Sequence, residues 1–200
     1  MRIVVIGATG TIGRAVAEAL HTRHEVIPVA HRSGPLTVDL GSPDSIRALF
    51  AAIGRVDAVV SCAGRGAFKP LEQLSDADFA LSLANKLMGQ VNLVRLGAAS
   101  VGEDGCFTLT SGILSRYPSP GGAALSLVNG ALEAFARAAA LELPRRIRVN
   151  VISPPWVSET LVALGRDPSG GLPAAVVARS YLRAVEGSMN GETIDARTGT

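Results

Sequence analysis

The stretch "GATGTIG" places Gly7, Gly10 and Gly13 at equal spacing between an apolar run and a helical pattern. A tight strand-to-helix turn needs residues without a Cβ, both to reach unusual φ/ψ and to let backbone amides approach a pyrophosphate. Thr9, Thr11 and Ile12 stand beside those glycines. A helix starting near Thr11 would turn its free amides and the positive end of its dipole to the same phosphates. The spacing alone is a weak signal, but its position after the first strand and before the first helix makes it a dinucleotide signature.

Past the second strand comes "AHRSG". An acidic residue there would bond the ribose hydroxyls of NAD, whereas His31, Arg32 and Ser33 offer a cation and donors suited to a 2′-phosphate. The cofactor implied is NADP(H). Asp39 in "VDL", followed by Leu40, could accept from an adenine amino group or serve as a turn aspartate before Gly41. Tyr117, in "SRYPSPGG", carries a phenol of ordinary pKa about 10 that a neighbouring cation could tune for proton transfer, or is an aromatic before a proline turn. Ser111 could orient a carbonyl oxygen or cap a strand end. Trp156, the only tryptophan, follows two prolines and is read as packing beside a nicotinamide, walling a substrate site, or filling the core. Tyr181 falls at helical spacing on an apolar face and reads as core.

The elements that must position these residues alternate to the end of the chain, which predicts an α/β doubly wound parallel sheet of about seven strands with helices on both faces. Strands are expected at Arg2–Ile6, Glu25–Ala30, Leu36–Val38, Ala58–Ser61, Cys106–Thr110, Arg148–Ile152 and Glu192–Asp195. Helices fit Thr11–His21, Pro43–Ile53, Ser75–Ala99, Ala123–Leu143 and Pro173–Glu186. Ser75 with Asp78 resembles a capping box, and Pro173 suits a first helical turn. The Gly/Pro-rich pieces Arg116–Gly122 and Gly165–Pro173 read as loops over a site. Residues 1–200 are expected to form a single domain.

Composition narrows the function classes. The net charge is +2, the aromatic share 4%, and the basic residues are scattered arginines with lysine only at Lys69 and Lys86. This argues against a nucleic-acid groove. Cys62 and Cys106 make no disulfide or metal framework and fit reduced thiols in a cytoplasmic protein. His21, His24 and His31 make no metal or triad constellation, so no metal is expected. No targeting segment is visible, and no apolar run approaches the roughly 18 residues of a membrane span.

With these motifs the chain resembles the classical short-chain dehydrogenase/reductase family over essentially its whole length. "SCAG", carrying Cys62, Ala63 and Gly64, is similar to the family's Asn-Asn-Ala-Gly. "RVNVISPPWVSET", carrying Pro154, Trp156 and Val157, is similar to its Arg-Val-Asn-x-x-x-Pro-Gly segment at the nicotinamide, and "ALEAFARAAALEL" to its long helix. The resemblance implies a Rossmann sheet and hydride transfer between NADP(H) and a small carbonyl or alcohol. It also implies a homodimer or homotetramer packed through long helices. The family's catalytic Asn, Ser, Tyr and Lys are not retained in place. Leu125 falls at the tyrosine position, Asn129 at the lysine position and Lys86 at the asparagine position, while the serine position falls on Gly112 with Ser111 adjacent. Asn85 is roughly 100° around the helix from Lys86. The resemblance is thus to members with a degenerate tetrad. Lys86 and Asn129 are expected to face one another and interact, with Lys86 supplying the displaced cation. Such a chain is either an oxidoreductase with non-standard acid/base residues or an inactive NADP(H)-binding sensor or scaffold.

Overall fold

A computed structural model describes residues 1–198 of the chain. Six parallel strands form one sheet in the order β2-β1-β3-β4-β5-β6: β1 Arg2–Ile6, β2 Glu25–Val29, β3 Val56–Ser61, β4 Val101–Thr110, β5 Arg148–Ser153 and β6 Thr193–Asp195. Between them run α1 Thr11–His21, α2 Pro43–Ile53, α3 Asp76–Ser82, α4 Gly89–Gly97, α5 Ala123–Glu142, α6 Ser158–Ala163 and α7 Ala174–Glu186. The pleat explains why the strands read as unbroken apolar runs. On β1, Val4 and Ile6 join the layer with Phe50, Leu93 and Leu132, while Ile3 and Val5 join the layer with Val16, Leu20 and Tyr181. Each such buried side chain contributes about 1.5–3 kcal/mol of apolar transfer energy. The strand order reverses beside β1, and the crevice at the carboxyl ends there is where open α/β sheets take ligands.

Among the described residues the sheet has six strands where the sequence predicts about seven. Leu36–Val38 meets Ala30 only through a single parallel bridge at Thr37. A parallel neighbour needs a crossover of about a dozen residues or more, and the loop from His31 to Leu36 is too short to supply one.

The helix expected over Ser75–Ala99 is also interrupted. Ser75 and Asp78 form the predicted capping box at its start, but Leu83–Met88 winds as a π-turn and Ala98–Ser100 as a 3₁₀ turn. Pro173 is an N-cap rather than a first-turn residue, and the Gly165–Pro173 loop holds a 3₁₀ turn at Pro168–Gly170. α5 has the length and apolar composition of a membrane span, contrary to the sequence expectation, although it buries Glu133 and packs on β5.

Candidate active site

The glycine turn has the geometry a phosphate site requires. Gly7 adopts φ +82°, and a Cβ there would stand 2.9 Å from Ala63 Cβ. The Gly10 amide donates to Gly7 O at 2.9 Å and closes the turn. The N-cap of α1 is Gly10, which offers no side-chain acceptor, and the first turn holds no acidic residue. An anion here would meet uncapped amides without a competing carboxylate. Thr9 and Thr11 are exposed at the rim, and Ile12 is partly covered.

At the end of β2, His31, Arg32 and Ser33 are exposed. His31 Nδ1 lies 3.3 Å from Val38 O, while Arg32 makes no ion pair or hydrogen bond among the described residues. Asp39 Oδ1 accepts from the Gly41 amide at 2.9 Å, which is its turn role. Leu40 is core: only 5% exposed, it lies so close to Gly89 that a Cβ on that glycine would stand 2.7 Å from Leu40 Cβ.

A cleft of ≈ 340 Å³ opens at the carboxyl ends of β3, β4 and β5. Its wall joins Ile12 of α1, Cys62, Ala63 and Gly64 after β3, Lys86, the Ser111–Gly112 segment after β4, Leu125 and Asn129 of α5, and Pro154, Trp156 and Val157 after β5. Lys86 sits on the π-turn, and its Nζ donates to Ser111 O at 3.0 Å. Burial lowers the pKa of its ammonium to about 8. Asn129, 2% exposed, donates from Nδ2 to Gly112 O at 3.3 Å, and its Oδ1 is buried without a partner. Lys86 and Asn129 therefore share the cleft as expected, but each holds one of two consecutive carbonyls and no direct bond joins them. Asn85 faces elsewhere and accepts the Arg65 amide at 2.8 Å.

For Ser111 and Tyr117 the sequence leaves two readings each. The Ser111 hydroxyl points toward α5, donating to Glu133 Oε1 at 3.0 Å, so the serine meets Lys86 through its carbonyl. Tyr117 is not among the residues lining the cleft. The Gly/Pro-rich loop carries it outward to 55% exposure, where the Arg197 guanidinium covers its ring at 4.4 Å. Trp156 stands on the wall edge-on to Phe68, with ring centroids 5.4 Å apart, and Arg166 lies 5.8 Å from its centroid.

With this geometry the comparisons with known proteins agree. The family described as enoyl-(acyl carrier protein) reductase matches residues 12–187. The chain belongs to the short-chain dehydrogenase/reductase family. Among solved structures this short-chain dehydrogenase/reductase is similar to the protein lin1944 from Listeria innocua, at 43% identity and TM-score 0.94 over 98% of each chain. It is also similar to a small-chain dehydrogenase solved in complex with NADPH, at 28% identity and TM-score 0.86 over 98% of this chain and 95% of that one. Carbonyl reductase [NADPH] 2 of Sus scrofa is 29% identical over 185 residues, 84% of this chain and 75% of its own.

Two further groups, neither singled out in the sequence, shape the site of this short-chain dehydrogenase/reductase. Gln90, fully buried, clamps β4 by donating to Thr110 O at 2.9 Å and accepting the Thr110 amide at 2.8 Å. Glu133, 5% exposed, accepts from Ser115 Oγ at 2.6 Å as well as from Ser111, with Arg116 at 3.7 Å. Tyr181 is core as predicted, its hydroxyl 2.6 Å from Thr110 Oγ1 behind the cleft. The available signal was position: Gln90 and Glu133 lie one helical turn after Lys86 and Asn129. Cys62 lines the cleft, but burial pushes its thiol up to about 12, so it stays protonated and is no nucleophile.

Proposed function

We propose that this short-chain dehydrogenase/reductase transfers a hydride between NADP(H) and a small carbonyl or alcohol in the Lys86 cleft. The observation that carries the reading is continuity: Ile12, next to the glycine turn, lines the same cavity as Lys86, Asn129 and Trp156. The uncapped amides of α1 suit the pyrophosphate, and the unpaired Arg32 suits a 2′-phosphate. The NADPH named for the pig carbonyl reductase and for the small-chain dehydrogenase complex supports the same cofactor here.

When bound, the reduced nicotinamide supplies hydride to a carbonyl carbon. The chain's own contribution is to hold the carbonyl and to handle a proton with non-standard residues, drawn from Lys86, Ser111 and Asn129. Leu125, at the position where the resemblance expects tyrosine, forms part of an apolar wall with Ile113, Leu114 and Pro155, which fits a small apolar substrate. Assembly as a homodimer or homotetramer belongs to the same reading, supported by the exposed alanines Ala134 and Ala138 on α5.

Titration with NADPH and with NADH, followed through Trp156 fluorescence and energy transfer to the reduced nicotinamide, tests the cofactor half. Tighter NADPH binding is expected, and binding of neither cofactor would refute the reading. Deuterium transfer from labelled NADPH to a panel of aldehydes and diketones tests the chemical half. Binding with no transfer to any of them would favour the sensor reading, which rests on the absence of any phenol from the cleft wall among the described residues.

A further inference from the structure

We infer that the Lys86 ammonium is itself the proton donor to the carbonyl reduced in this cleft, taking the place of a phenol. The inference rests on the oxidoreductase reading above and assigns the step that reading leaves open.

Among the described residues of the cleft wall only Cys62 and Lys86 are titratable. Burial pushes the thiol up to about 12, far above Lys86 at about 8, so it is much the weaker acid of the two. Tyr117 lies outside the wall, and the Tyr181 hydroxyl is sealed behind Thr110. Lys86 is left as the strongest acid in reach.

Its setting suits the task. One Nζ proton is bonded to Ser111 O, and an ammonium has two more to offer. The chain carrying it is fixed from both ends: Gln90 donates to Lys86 O at 3.2 Å while clamping Thr110, and the Lys86 stem lies so close to Gly64 that a Cβ there would stand 3.0 Å from Lys86 Cγ. Asn129, which holds the next carbonyl, keeps a buried Oδ1 without a donor, an acceptor for the hydroxyl of the alcohol formed.

The charged groups packed around the lysine do not oppose the assignment. Glu133 on α5 is engaged by Ser111, Ser115 and Arg116, and Arg65 after β3 meets the π-turn through its backbone amide. Burial is therefore the cause that brings the ammonium near the pH at which it would work.

The step balances. The carbonyl carbon accepts the hydride and a C–H bond forms, while the C=O π pair moves to oxygen. That oxygen takes a proton from Lys86 Nζ. Oxidised nicotinamide, an alcohol and a neutral amine remain, and the amine is reprotonated by water at the cleft mouth. In the reverse direction the neutral amine is the base.

The chain has only two lysines, so labelling lysine with ¹³C at Cε gives two NMR signals, which Lys69→Arg assigns. The expected result is a Lys86 midpoint near 8. A midpoint well below neutral pH would overturn the assignment without any turnover measurement, because the amine would then hold no proton to give.

The kinetic arm uses NADPH with 4-nitrobenzaldehyde and 2,3-butanedione as probes. Wild-type kcat/KM is expected to be level at low pH and to fall above about 8. Lys86→Met should lose about 100-fold or more in kcat with NADPH affinity unchanged. Lys86→Arg keeps the charge but gives up no proton, and it should be as slow as the methionine variant. Full rate in Lys86→Arg, or an unaltered pH profile in Lys86→Met, would overturn the donor assignment and leave the oxidoreductase reading standing. Absence of transfer to either probe by the wild type would overturn both.

Discussion

Substituting Gly13→Ala is the sharpest test of the phosphate turn, because its effect follows from backbone atoms that cannot swing aside. A Cβ at residue 13 would stand 2.0 Å from Gly7 O, 2.6 Å from Gly7 C and 3.1 Å from Ala8 Cα. Carbon and carbonyl oxygen settle at about 3.3–3.6 Å, so the start of α1 and the turn must part by more than about 1 Å. The Gly10-to-Gly7 bond that closes the turn is 2.9 Å long, and a displacement of that size takes it beyond hydrogen-bond range. Overpacking of this kind costs about 1–3 kcal/mol of stability. An amide-to-anion hydrogen bond is worth about 1.5–3 kcal/mol, so misplacing one amide should weaken NADPH binding roughly 10- to 100-fold. The assay is a fluorescence titration through Trp156 on folded protein, with a thermal melt alongside. Gly130→Ala serves as control, since a Cβ there meets nothing within 4 Å. If Gly13→Ala lowered the Tm but left NADPH affinity equal to wild type, the turn would not be what holds the phosphates.

Two more predictions follow from placement and burial. Because the pKa of Lys86 falls from 10.5 to about 8 on folding, the unfolded chain holds a proton between those values that the folded chain lacks, and stability rises with pH across that window. Lys86→Met should therefore be more stable than wild type at pH 7, by at most about 3 kcal/mol less about 1 kcal/mol for the lost bond to Ser111 O. Urea melts should show that advantage shrinking as pH rises from about 8 to 10.5 and level beyond, and a pH-independent difference would contradict the burial argument. Tyr117→Phe should leave turnover unchanged, because the phenol is 55% exposed and outside the cleft wall. A large loss of kcat in that variant would mean that the 116–122 loop closes over the site.

Features whose partners are close in sequence were legible from the residues alone. The glycine turn and the Ser75–Asp78 capping box each involve a few consecutive residues, and both form as predicted. The strand expected at Leu36–Val38 failed on a requirement that its own residues do not carry, the length of the crossover before it. The π-turn was not readable either, since "LANKLM" is an ordinary helical composition. What accompanies it is tertiary: Gly89 approaches Leu40 closely, and Gln90 reaches across to Thr110.

Of the two readings the sequence leaves open for Ser111, neither names the hydroxyl's partner, because Glu133 lies 22 residues further on in α5. The segment Thr110–Gly112 is gripped from two helices, by Lys86 and Gln90 on one side and by Asn129 and Glu133 on the other, each pair four residues apart. Spacing one pair against the other is what sets the cleft. Exchanging lysine and asparagine between the two helices, relative to the resemblance, therefore keeps a polar grip on each carbonyl while moving the titratable group to the π-turn.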